Sequence, residues 1–259
     1  MDIAKLFDLT GKSALITGAT GALGSAAARA LASAGAHVTL AGGNAEKLAD
    51  IAATLPSESV TTIAERPSDE AAADRLVKAA TAGGRGLDIV VPASGTAAVA
   101  PATEMTVETW DKVMDANVRQ CWLICRAAGR VMIDQGRGGA MIPISSVRAR
   151  FATPAGTSAY GTSKSAVDML TKSFAVEWGP HNIRVNAIAP TVFRSELTSW
   201  LFEDNERANT ARAGVLARIP LGRLAEPDDF AGVLVFLASD ASSIITGEII
   251  NVDGGFSAN

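Results

Sequence analysis

The chain has 259 residues, 48% of them hydrophobic and 19% charged, with a formal net charge of −4. This is ordinary globular usage without a low-complexity tract or linker, so we expect one domain spanning residues 1–259 around one large core. Interspersed charges argue against a nucleic-acid surface or a polybasic membrane patch. The most apolar run, 230–238, is far short of a membrane span, and Asp2, Lys5 and Asp8 stand where a signal peptide would be apolar, so the expected location is cytoplasmic.

The first pattern along the chain is strand, tight turn, helix. Residues 13–17 are a short β-rich run, Thr17-Gly-Ala-Thr-Gly-Ala-Leu-Gly24 follows, and 22–34 has helical composition with Gly35 as its stop. Gly18, Gly21 and Gly24 on such a turn let backbone approach a pyrophosphate, and the helix start adds N–H groups and a positive dipole. The same three glycines also suit a tight turn packed closely on its helix.

The unit repeats. A strand at 37–41 precedes a helix at 45–55, a strand at 60–64 precedes a helix at 69–81, and a strand at 87–91 precedes a long helical stretch at 107–135. Cys121 and Cys125 lie four apart in that stretch and read as small apolar residues on a buried helix face. With only His37 and His181 as further soft ligands, no metal site is expected. Strands at 140–144, 183–188 and 248–252, separated by helices at 158–179 and 227–239, complete an α/β pattern: a doubly wound parallel sheet of seven strands. In such sheets ligands bind beyond the carboxyl ends of the strands, where the glycine loop, Gly95, Ser146 and 190–195 all fall.

In Tyr160-Gly-Thr-Ser-Lys164 the phenol and the ammonium lie one helical turn apart. A cation beside a phenol lowers its pKa and suits it to proton exchange with an alcohol or carbonyl oxygen, although this spacing also occurs in surface pairs. Tyr160 is the only tyrosine in the chain, and Ser145-Ser146 stands 14 to 15 residues upstream at a strand end. Arg148 and Arg150 are candidates for an anionic substrate group, or simply exposed loop arginines. The 191–218 segment carries Phe193, Trp200, Leu201 and Phe202 and reads as a helical lid over a substrate, or as packing.

Together these residues resemble the short-chain dehydrogenase/reductase family over nearly the whole chain: Thr17–Gly24, Asn117, Ser145-Ser146, Tyr160-x-x-x-Lys164 and Ile183-Arg-Val-Asn-Ala-Ile-Ala-Pro190 occur in family order. Pro220-Leu-Gly-Arg-Leu-Ala-Glu-Pro227 and Thr246-Gly-Glu-Ile-Ile-Asn-Val-Asp-Gly-Gly255 extend the likeness. The resemblance implies a Rossmann-type oxidoreductase moving hydride between a nicotinamide cofactor and a small alcohol or carbonyl substrate. Tyr160 is then the acid-base, and Ser146 holds the substrate oxygen and steadies the phenolate. Lys164 lowers the phenol pKa and binds ribose, while Asn117 holds a water that links Lys164 to solvent. The implied cofactor set is Gly18, Thr20, Gly21, Leu23, Gly24, Gly42, Gly43, Asn44, Arg66, Ala93, Gly95, Tyr160, Lys164, Pro190, Val192 and Ser195. A homotetramer or homodimer is also implied, paired through the 107–135 and 158–179 helices.

The chain departs from the family pattern in four places. The middle glycine of the loop is one place early, at Gly21. Pro92-Ala-Ser-Gly95 replaces Asn-Asn-Ala-Gly, Arg66 stands where an aspartate beside the adenine is usual, and Pro190-Thr191 replaces Pro-Gly. At the end of the second strand an acid would select NAD and an arginine NADP. Gly42 and Gly43 supply neither, and with Arg66 nearby NADP is slightly preferred over NAD. Two further readings stand beside the oxidoreductase: an epimerase or dehydratase that retains its dinucleotide, and a catalytically silent dinucleotide-binding sensor or scaffold.

Overall fold

The computed structural model describes residues 2–258. A short helix α1 (Ile3–Leu6) leads into β1 (Ser13–Thr17), α2 (Ala22–Ser33), β2 (His37–Ala41), α3 (Ala45–Ala53), β3 (Val60–Ile63), α4 (Glu70–Ala80) and β4 (Ile89–Pro92). After a loop come α5 (Val107–Met114), α6 (Gln120–Gln135), β5 (Gly139–Met141), α7 (Ser158–Trp178), β6 (Ile183–Val185) and β7 (Ala187–Pro190). The chain closes with α8 (Glu206–Leu216), α9 (Ala231–Ala238) and β8 (Ile249–Val252).

Local chemistry sets most of these limits. Asn44 and Asp69 accept backbone hydrogen bonds at the starts of α3 and α4, and Gly136 at φ 66° ends α6 in the left-handed conformation a Cβ disfavours. β1 is buried at all five positions, as a central parallel strand covered on both faces should be. Ala14 and Ile16 join one core with residues of α2 and α9, whereas Leu15 joins another with residues of α4, α6 and α7. Alternating side chains thus send one strand into two cores.

The parallel sheet has six strands in the order β3-β2-β1-β4-β5-β6, and β7 and β8 form a separate parallel pair. This corrects the seven-stranded expectation. The strand expected at 140–144 ends at Met141 because Pro143 has no N–H to donate, and the strand expected at 183–188 is divided at Asn186. The Asn186 side chain turns toward the last strand, donating to the Ile245 carbonyl and accepting from Glu248 N–H. A bridge between Ile144 and Ile188 and the Ser145 N–H to Ile188 carbonyl bond of 2.8 Å still tie the two sheets together.

The expected 107–135 helix is continuous but contains a π-helical turn at Asp115–Arg119. The extra residue widens the turn, a distortion that leaves one carbonyl outside the regular ladder. Among the described residues no helix is long and apolar enough to cross a membrane.

Candidate active site

The carboxyl ends of β1, β2 and β4 are level, since Thr17 pairs with both Ala41 and Pro92. Parallel pairing therefore brings the glycine loop, Gly42 and the 92–95 run to one edge. Gly18 takes φ 65°, and a Cβ there would lie 2.5 Å from Ser94 N. A Cβ on Gly24 would lie 2.2 Å from the Gly18 carbonyl oxygen. These two glycines close the turn onto its neighbours. Gly21 differs: a Cβ there meets only the Gly18 oxygen at 3.3 Å. It starts α2 without a side-chain cap, so the N–H groups of the first turn, Leu23 included, face the site without a capping side chain and suit a phosphate.

In the 92–95 run Ala93 N–H donates to the Thr17 carbonyl at 3.1 Å, continuing the pairing of β4 with β1. Gly42 packs on Thr20, whose Cγ2 would be 3.2 Å from an added Cβ. At Gly43 the place of a side chain is filled by Arg66, whose Nε lies 2.7 Å from where a Cβ would stand. An arginine from the end of β3 thus reaches the position where the family has its arginine at the end of β2. Asn44 caps α3, its side-chain oxygen accepting from Lys47 N–H.

Across the sheet, Pro190 ends β7, and Val192 packs in a small cluster with Val147, Ile219 and Phe256. The Ser195 hydroxyl shares a 3.0 Å hydrogen bond with Thr198 Oγ1 within a capping box at the start of a 3₁₀ segment, Glu196–Phe202. Its side chain is spent on that turn. Thr17 Oγ1 and Thr191 Oγ1, by contrast, are buried without hydrogen-bond partners, and both stand at strand ends on the ligand edge. Unpaired buried hydroxyls, an uncapped helix start and the Gly21 gap together fit an extended polar ligand such as a dinucleotide.

Asn117, Ser146, Tyr160 and Lys164 converge. The π-turn presents Asn117, whose side chain accepts from Thr96 N–H at 2.7 Å and donates to the Thr96 carbonyl and to Ser163 Oγ at 2.9 and 2.8 Å. Both amide hydrogens are used, so the side chain clamps the loop after β4 to α7. Gly95 makes room: a Cβ there would lie 3.2 Å from Asn117 Oδ1 and 3.6 Å from Lys164 Nζ. Lys164 Nζ donates to the Ile144 carbonyl at 2.8 Å and stands 5.8 Å from the centre of the Tyr160 ring. Sequence reasoning missed Ser163 and Thr96, which meet Asn117 only through the fold, and Asp168, which accepts from Ser145 Oγ and faces Arg150 Nε at 3.9 Å.

Burial dominates the electrostatics of the phenol and the ammonium. Burial pushes the Tyr160 phenol above its ordinary value, opposed by the Ser146 hydroxyl and the charge of Arg148. Burial likewise pulls Lys164 down to about 8, against the opposing pull of Cys121 and Asp168. The resting site therefore holds a neutral phenol, a natural proton donor, over an ammonium close to its own titration.

A family model described as Enoyl-(Acyl carrier protein) reductase matches residues 18–257. An oxidoreductase of Mycobacterium tuberculosis is 53% identical over 252 residues, covering 97% of this chain and 93% of its own. A short-chain type dehydrogenase/reductase from Mycobacterium marinum superposes with a TM-score of 0.92 at 36% identity over the full length of both chains. A gluconate 5-dehydrogenase from Burkholderia cenocepacia, solved in complex with NADP and tartrate, gives a TM-score of 0.92 at 31% identity, again over both full lengths.

The buried lysine yields a stability prediction. A lysine with pKa about 8 folded and 10.5 unfolded costs stability wherever it must be charged, fully below pH 8, and the cost is relieved as pH rises from 8 to 10.5. Lys164→Met should therefore stabilise the dinucleotide-free protein at pH 7 by roughly 1–3 kcal/mol, after loss of the bond to Ile144. The gain should vanish near pH 10.5. Urea unfolding at pH 7, 9 and 10.5 measures it, and a variant less stable than wild type at pH 7 would refute the burial cost.

With the fold and these relatives in agreement, the chain belongs to the short-chain dehydrogenase/reductase family, as a dinucleotide-dependent oxidoreductase that transfers hydride between a nicotinamide cofactor and an alcohol or ketone.

Proposed function

We propose that the protein interconverts a small alcohol and its ketone through a relay of Tyr160, Lys164, Ser146 and Asn117, on one doubly wound domain with residues 191–218 as the substrate lid. The observation that carries this reading is the buried convergence of a single phenol, a hydroxyl and an ammonium beside an uncapped helix start. A nicotinamide ring bound there supplies the hydride donor or acceptor. Tyr160 exchanges a proton with the substrate oxygen, and Ser146, whose hydroxyl opposes the burial of the phenol, holds that oxygen. Lys164 has its ammonium placed to bind ribose and to stabilise the phenolate formed when Tyr160 gives up its proton. Asn117 acts through the π-turn, fixing Thr96 and Ser163 around Lys164. A silent scaffold has no use for an ammonium buried at this cost, which favours turnover over that alternative.

For the cofactor we propose NADP over NAD. Gly42 offers no carboxylate to accept from a ribose hydroxyl or to repel a phosphate, and Arg66, in no ion pair among the described residues, lies over Gly43. The gluconate 5-dehydrogenase neighbour was solved with NADP. We further propose a cytoplasmic homotetramer or homodimer. Trp122 and Met169 expose 38% and 60% of their surface on α6 and α7, beside a groove lined by Met114, Val118 and Leu170, and burying such a face is what a second copy would do.

Three measurements test these readings. Tyr160→Phe should abolish turnover while leaving the dissociation constant for NADPH within about twofold, since only the acidic oxygen is lost; near-normal turnover would remove the mechanism. NADPH should bind wild type about tenfold more tightly than NADH, as one charge-assisted contact allows, and Gly42→Asp should reverse that order. Wild type already favouring NADH would dismiss Arg66 as a phosphate ligand. Light scattering at micromolar concentration should give a dimeric or tetrameric mass, and a monomer would overturn the assembly.

A further inference from the structure

Arg148 sits two residues beyond Ser146 in the 3₁₀ turn Val147–Ala149, and its N–H donates to Ser146 Oγ at 3.1 Å. The turn is pinned to α7, where Ser165 Oγ donates to the Ala149 carbonyl at 2.6 Å and a Cβ on Gly161 would lie 3.1 Å from the Arg148 oxygen. Arg148 is thereby fixed relative to Tyr160, and its charge is felt at the phenol. Its guanidinium carbon lies 5.5 Å from the centre of the Phe256 ring. Arg218, from the far end of the 191–218 segment, places its own guanidinium 4.1 Å from the same ring.

Neither guanidinium has a carboxylate partner among the described residues, while nearby Arg150, Arg194 and Arg223 each face one. Arg148 is half-buried, and both its burial and the charge of Arg218 weaken its hold on its proton. Two uncompensated like charges on one buried aromatic ring are mutually costly, and an anion between them relieves the repulsion. Arg148 Nη1 is directed to the Phe151 and Ala152 carbonyls at 3.3 and 3.4 Å. That leaves one guanidinium edge, which matches the two oxygens of a carboxylate.

We propose that Arg148, Arg218 and Phe256 form a carboxylate subsite beside Tyr160, so that the substrate is a hydroxy acid or oxo acid rather than a neutral alcohol or ketone. The assignment rests on Tyr160 as the reacting centre. Arg150, the other arginine read from the sequence as an anion ligand, is excluded because it faces Asp168.

The test uses the full chain with and without saturating NADPH. Calorimetric titration compares threonate with threitol, four-carbon polyols that differ by one carboxylate, and adds inorganic phosphate as a third ligand. Threonate should bind about tenfold or more tightly than threitol, the scale of a charge-assisted pair. Arg148→Met and Arg218→Met, which retain packing on Phe256, should each remove most of that advantage and leave threitol and NADPH affinities unchanged. Equal affinity for threonate and threitol, threonate binding retained in both variants, or phosphate binding more tightly than threonate would each overturn the subsite. Tyr160→Phe should bind threonate like wild type. Loss of turnover in that variant is what judges the hydride-transfer reading, so the two proposals fail separately.

Discussion

A buried ammonium needs a fixed acceptor, and Lys164 finds it in the Ile144 carbonyl, 2.8 Å away. Much of the site's architecture follows from that bond. Ile144 faces β4, where its N–H reaches the Pro92 carbonyl, and because β4 ends at Pro92 the Ile144 carbonyl is left without a strand partner. Gly95 leaves the space that a side chain would take from Lys164 and Asn117. The π-turn then delivers Asn117 to a position from which its amide spans two elements.

The two cores show why this arrangement is stable despite its buried charge. Each face of the sheet is packed by alternate residues of the same strands, with Ile16 and Val91 on one side and Leu15 and Val90 on the other. The site lies beyond the strands' carboxyl ends, where these layers stop and backbone groups are left to loops. Unpaired polar atoms collect there: Thr17 and Thr191 keep orphan hydroxyls within a molecule whose other buried polar side-chain atoms, among the described residues, are paired. A ligand that supplied their partners would complete the hydrogen bonding of the fold itself.

Charge is distributed with the same logic. Along the helices, Arg126 faces Glu70 and Arg130 faces Asp74 across α4 and α6, exposed pairs that contribute little to stability but leave no net field. Near the phenol the pattern changes, since Arg148 and Arg218 share an aromatic ring and lack carboxylates among the described residues. These two unpaired guanidinium groups are a local feature that the overall charge of −4 does not reveal.

The sequence by itself determined the elements and the chemistry-bearing pattern. Alternating apolar runs and glycine stops located β1 to β4 and their helices to within two residues, and the four-residue spacing of Tyr160 and Lys164 put phenol and ammonium on one helix face. These are local properties, fixed by period and by backbone freedom. What only the tertiary structure decided are the contacts between residues distant in the chain. The division of the last strands at Asn186 depends on Glu248, the direction of Lys164 on Ile144, the place of Arg66 on the empty side of Gly43, and the pairing of Arg148 with Arg218 on Phe256. No periodicity records such neighbours, because each is produced by which strands lie side by side and by where a loop must close.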